Sequence, residues 1–185
     1  MSMKTLPGKL FAVLLRYLAL PSLPVVAAAV GLAGCTNIEC PLDNIVEMTC
    51  GLYNAESGNR MKLGATLSVS TGGRKDTLLL NQATDLEAFF LPLKQGEPVD
   101  TFLLNFSNAE QQATDTLFVV HANSPHFESL DCPSSVFHHI QEVRWTSHAL
   151  RLMPVTIDSV AVARRLVDYE NIENIRLFLR TTVGN

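Results

Sequence analysis

Two places in the chain hold residues able to do chemistry, and they call for different chemistry. The first is Leu32-Ala33-Gly34-Cys35, which closes a long apolar run. Small residues directly before a cysteine let the backbone enter a narrow processing site, and the sulfur can then carry lipid. The second is the stretch from His121 to His139, which gathers His121, Asn123, His126, Glu128, Ser129, Asp131, Cys132, Ser134, Ser135, His138 and His139. It supplies imidazole, carboxylate and thiol groups, the ligand types that zinc and other transition metals take. His126, Glu128 and His138 are the candidate ligands.

The spacing in this polar stretch is not that of a known metal site. Neither Cys-x-x-Cys nor His-x-x-x-His occurs, and on an extended strand His138 and His139 point to opposite faces. A hydrolytic centre would combine Cys132 or Ser135 with His138 or His139 and Asp131. Such centres usually place the nucleophile on a glycine-flanked turn, yet the only glycine after Gly96 is Gly184. The expectation is therefore a polar loop held by Cys132, with no resident metal, no cofactor and no enzymatic activity. A metal-dependent or hydrolytic enzyme built on residues 121–139 is the alternative.

The segment before Cys35 has the composition of a removable leader. Its only charges are Lys4, Lys9 and Arg16, all positive. An apolar run from Tyr17 to Ala33 follows, interrupted by Pro21 and Pro24, which suit a cleaved segment better than a permanent membrane helix. Residues 1–34 are thus expected to be removed, with Cys35 lipidated, residues 35–39 a short tether and 40–185 the folded domain. One acyl chain binds a membrane only marginally, whereas two or three hold it firmly.

Loss of the leader takes three of the 14 basic residues and none of the 18 acidic ones, which leaves the mature chain near −7. That balance argues against nucleic acid or an anionic membrane surface as a partner, since both select basic patches. The remaining 151 residues suffice for one domain with its own core. Beyond Cys35 there are three cysteines, an odd number. Cys40 and Cys132 share a context, each following an acidic residue and preceding proline, which makes them the favoured disulfide. Closing a loop of about 90 residues would contribute roughly 4 kcal/mol through the unfolded chain. Pairing of Cys40 with Cys50 is the rival arrangement; otherwise Cys50 is a buried thiol.

The elements that must carry these groups read as β. Nine strand-like runs, at 45–53, 61–70, 74–80, 86–91, 99–106, 115–122, 136–147, 157–163 and 174–181, alternate with turn-forming stretches such as Thr71-Gly72-Gly73, Ser107 to Ala113 and Asn123-Ser124-Pro125. The expected fold is a mostly β, single-domain, two-sheet antiparallel sandwich, immunoglobulin-like, with at most short helices at 158–167 and 85–90. Asp-Thr followed by apolar residues recurs at Asp76, Asp100 and Asp115, where aspartate can close the preceding turn and threonine favours extended backbone. Trp145 reads as core or partly buried filler rather than a sugar platform. The acidic run from Asp168 to Glu173 lacks the turn glycine of a calcium loop and reads as a solvated turn.

Several short motifs occur in a recognisable order. After the lipobox come Cys40-Pro41-Leu42-Asp43-Asn44, Phe90-Leu91-Pro92-Leu93, Asp115-Thr116-Leu117, His126-Phe127-Glu128-Ser129 with Asp131-Cys132-Pro133, and Glu173-Asn174-Ile175. Together they resemble an uncharacterised family of small Bacteroidales cell-envelope lipoproteins. The resemblance implies a predominantly β lipoprotein with recurring cysteines before Pro41 and Pro133, and it carries over no catalytic residues. Surface-exposed lipoproteins of that group often have several acids after the acylated cysteine. Here Glu39 stands alone, so the expected location is the outer membrane, facing the periplasm, with an envelope protein or glycan as partner.

Overall fold

The computed structural model describes residues 45–73, 76–129 and 132–182. The leader, Cys35 and Cys40 lie outside the described residues. Ten strands follow in order: β1 (Glu47–Asn54), β2 (Thr66–Thr71), β3 (Leu78–Ala83), β4 (Ala88–Pro92), β5 (Val99–Ser107), β6 (Gln112–His126), β7 (Ser135–Thr146), β8 (Val155–Val162), β9 (Leu166–Val167) and β10 (Glu173–Thr181). They form a four-stranded sheet of order β4-β1-β10-β8 and a six-stranded sheet of order β3-β2-β5-β6-β7-β9. The protein is a two-sheet β-sandwich, and no helix occurs among the described residues.

Alternation along the strands explains how the sheets face each other. In β5, Asp100, Phe102, Leu104 and Phe106 are buried while the residues between them are half-exposed. In β6 the same period buries Asp115, Leu117, Val119 and His121. Side chains two apart share a sheet face, so each set meets the opposing Met48, Cys50 and Leu52 of β1 and Ile175, Leu177 and Leu179 of β10 in one apolar cluster.

Every strand pair is antiparallel except one. β1 and β10 run parallel, with Cys50 opposite Ile175 and Leu52 opposite Leu177. These two strands thereby sit at the centre of the smaller sheet, each with a neighbour on both sides. The expected wholly antiparallel sandwich is thus corrected at this one pair, whose two strands come from the ends of the domain's strand order.

The two segments that would tolerate a helix are extended instead. Residues 158–167 pass from β8 into β9, because Val160 and Val162 pair across from Leu177 and Ile175 on β10. At 85–90, Asp85 has φ 59°, a left-handed conformation that interrupts a helix before β4 begins.

Another difference concerns Asn123-Ser124-Pro125, which forms the outer part of β6 rather than a turn. Beyond His121, β6 pairs only with β7, up to His126 opposite Ser135. Pro125 lacks an N–H and is tolerated where one side of the strand has no partner. The turn between β5 and β6 is correspondingly shorter, closed by Asn108 Oδ1 accepting the N–H groups of Glu110 and Gln111 at 2.9 and 2.8 Å.

Two glycines are required by close approach. A Cβ on Gly72 would lie 2.9 Å from Thr101 Cγ2, and one on Gly51 would collide with the carboxylate of Glu173. Phe102 and Phe106 are among the largest fully buried side chains. Replacing Phe102 by alanine is expected to cost about 3–5 kcal/mol of unfolding free energy in a urea titration, through lost transfer energy and the cavity left behind.

Candidate functional site

The polar stretch singled out by composition becomes the end of the β6–β7 hairpin, and its two buried histidines, His121 and His138, turn inward. Parity along β6 places His121 on the core-facing side, where it is fully buried. Its Nε2 lies 3.0 Å from Asp100 Oδ2 and its Nδ1 lies 2.8 Å from Asn123 Oδ1. Asn123 sits opposite His138 across the hairpin, and His138 Nδ1 meets the same Oδ1 at 2.8 Å.

The orientation of Asn123 is fixed from its other side. Its Nδ2 donates to the carbonyl oxygens of Lys94 and Gln95, at 3.2 and 2.7 Å, with Glu97 O 3.4 Å away. The amide oxygen must therefore face the two imidazoles. Asp100 Oδ2 also accepts the backbone N–H of Lys94 at 2.8 Å. The result is a closed circuit in which Asp100, His121, Asn123 and His138 bind the β4–β5 connection to the hairpin.

Burial acts on the charge of His138. The His138 pKa is pulled down to about 4, first by burial and then by the neighbouring His121, while Asp100 opposes the shift. His138 is accordingly neutral and donates from Nδ1 to Asn123. The rings stand edge to face with centroids 5.0 Å apart.

A second carboxylate–imidazole pair closes the other end of the core. Asp115 is completely buried. Its Oδ1 accepts the backbone N–H of His148 at 2.7 Å and faces His148 Nδ1 at 2.7 Å. Oδ2 accepts from Thr156 Oγ1 at 2.9 Å and from Ile157 N at 2.8 Å, both on β8 in the opposite sheet. His148 Nε2 reaches Met153 O at 3.2 Å. Ser147 Oγ donates to Ile157 O.

The remaining sequence candidates have separate surroundings. His126 stacks on Phe137 with centroids 4.2 Å apart, and Tyr169 packs edge-on against both rings. His139 is exposed on the other face of β7 from His138. Glu128 and Cys132 each have a partner. Among the described residues, no group of three or more histidine, cysteine or acidic side chains is arranged to hold a metal ion. Cys50 is a buried free thiol, pushed well above the usual range by burial and by the charge of Glu173. Trp145 is 37% exposed. The acids of the 168–173 run are held by arginines: Asp168 and Glu170 by Arg164 at 2.8–2.9 Å, and Glu173 by Arg60 and by Arg176 at 2.7 Å.

Asp100, Asp115, His148 and Asn174 are the polar residues that composition did not single out as a site. Asn174 is buried beside the irregularity in the β1–β10 register, accepting from Thr49 N at 3.0 Å and donating to Leu166 O at 2.8 Å. The Asp-Thr repeats did carry a usable signal. Asp100 shares parity with Phe102 and Leu104, and Asp115 with Leu117 and Val119, which places both carboxylates on the core face.

These features define a two-sheet sandwich whose inward polar groups serve as internal ties. The family model that matches residues 66–179 is that of a family of unknown function, DUF6452, and the chain belongs to it. The matched span runs from β2 into β10 and includes both carboxylate–imidazole pairs. No curated protein and no solved structure matches the chain.

A histidine whose folded pKa lies below its unfolded value of 6.5 supports the fold above pH 6.5 and loses that support as pH falls towards 4. Wild-type protein is expected to lose about 1–3 kcal/mol more stability between pH 6.5 and 4 than H138Q, measured by denaturant midpoints. Equal losses would show that His138 is not held neutral.

Proposed function

We propose that the protein is a lipid-anchored β-sandwich of the bacterial cell envelope with a non-catalytic binding or accessory role. On this reading residues 1–34 are removed and Cys35 carries the lipid. Attachment is to the outer membrane on its periplasmic side, as in the Bacteroidales lipoproteins that the chain resembles. The partner is an envelope protein or a glycan.

One observation carries the non-catalytic part. Asp100, His121, Asn123 and His138 satisfy one another and nearby backbone groups, and Asp115 and His148 do the same at the opposite end. A general base must reach a substrate proton, and a nucleophile needs a base aimed at it. His121 and His148 are instead turned into the protein, each with both ring nitrogens occupied. The lipobox and the charge pattern of the leader support the anchor.

The pairing of Cys40 with Cys132 belongs to the same proposal. It is supported by the burial of Cys50 as a free thiol and by the engagement of Cys132. Such a bond would staple the tether to the β6–β7 hairpin and favour folding in an oxidising compartment.

Growth with an alkyne-bearing palmitate analogue is expected to label the wild-type protein in the membrane fraction, and C35A is expected to lose both label and membrane association. Equal labelling of C35A would refute the anchor. A thiol titration of lipidated protein tests the staple. Denaturation without reductant should expose one reactive thiol, that of Cys50, and reductant should add those of Cys40 and Cys132. Stoichiometric zinc in the purified protein, lost in H126A or H138A, would overturn the non-catalytic reading in favour of a metal enzyme.

A further inference from the structure

We infer that the hairpin end of the sandwich rests on the lipid surface itself, through exposed apolar side chains grouped around the point where the tether enters the domain. Ile45, the first described residue, is 63% exposed. It lines a shallow cleft of about 160 Å³ with Glu47, Phe90, Tyr169 and Asn171. Phe90 is 49% exposed on the outer face of β4, and Ile172, next to Asn171, is 50% exposed.

Tyr169 joins this cleft to the hairpin. Its ring packs against Phe137 and His126 at centroid distances of 4.9 and 5.8 Å, and Phe127, directly after His126, is 67% exposed. Half of the eight large apolar side chains that stand exposed among the described residues therefore gather at one end. Isolated surface apolar residues need no explanation, whereas a group with a polar rim marks a contact surface.

The length of the tether selects the occupant. This step rests on the lipid anchor at Cys35. Nine residues separate Cys35 from Ile45, and the ten backbone steps between the two span at most about 34 Å when fully extended. β6 alone has 15 residues and is about 50 Å long. The tether is thus shorter than the domain and departs from a member of the apolar group, so this end is the one held towards the bilayer. With the mature chain near −7, attraction to lipid headgroup charge is not the driving force. Insertion of Ile45, Phe90, Phe127 and Ile172 into the headgroup and acyl boundary is, with Tyr169 suited to the interface by its apolar ring and polar tip.

The test uses full-length lipidated protein in phosphatidylcholine vesicles with brominated acyl chains, which quench nearby tryptophan. The chain has one tryptophan, Trp145, which lies opposite Leu117 and about 30 Å along β6 from the His126 end. Wild-type emission is expected to stay unchanged. F127W and F90W, each in a W145F background, are expected to lose about half of their emission or more, as residues at interfacial depth would. Unchanged emission from both variants, with flotation showing the protein on the vesicles, would overturn the proposal. Dimers formed by cross-linking through this end would do the same and assign the face to a second copy. Protein that fails to float would instead overturn the anchor and, with it, the orientation.

Discussion

The carboxylate of Asp115 is the interaction on which the two-layer arrangement depends. β8 is an edge strand of the smaller sheet, and an edge exposes backbone groups that need partners. Asp115 reaches across from the larger sheet and accepts Ile157 N–H and the Thr156 hydroxyl with one oxygen, while the other holds His148. Ser147 supplies the donor for Ile157 O. The sheets are therefore tied by directed bonds as well as by apolar contact, and the edge of β8 is closed at the same place.

At the opposite end of the same inner face, Asp100 and His121 play the corresponding part. His121 lies six positions beyond Asp115 on β6, about 20 Å away, and Leu117 and Val119 fill the buried positions between them. Buried polar groups of this kind are costly unless satisfied, and hydrogen-bonded closure is what makes them tolerable inside a core. The cluster that composition marks as reactive therefore ties the β4–β5 connection to the β6–β7 hairpin.

Much of the fold was legible because its signals are local. All nine strand-like runs correspond to strands. The parallel β1–β10 pair was not legible, since it depends on contacts more than a hundred residues apart. β9, only two residues long, is defined by pairing with His138 and His139 rather than by any pattern of its own. The polar stretch was read as a loop, whereas His121 to His126 lie on β6 and His138 and His139 on β7. His121, Asn123 and His138 do converge, but their convergence is completed by Asp100, which the Asp-Thr repeat had marked as a strand-opening residue. Reading the repeat by parity instead of as a turn motif would have placed Asp100 and Asp115 inside.

The central claim is that Asp115 ties the sheets, and the unfolding free energy of D115N at pH 7 tests it most directly. Asparagine keeps the size of the side chain but removes the charge and makes one end a donor, so it cannot accept from His148 and from β8 together. The expected loss is about 1–3 kcal/mol, the cost of leaving a buried hydrogen-bonding partner unsatisfied. Stability within about 0.5 kcal/mol of wild type, the range of an ordinary surface substitution, would contradict the account.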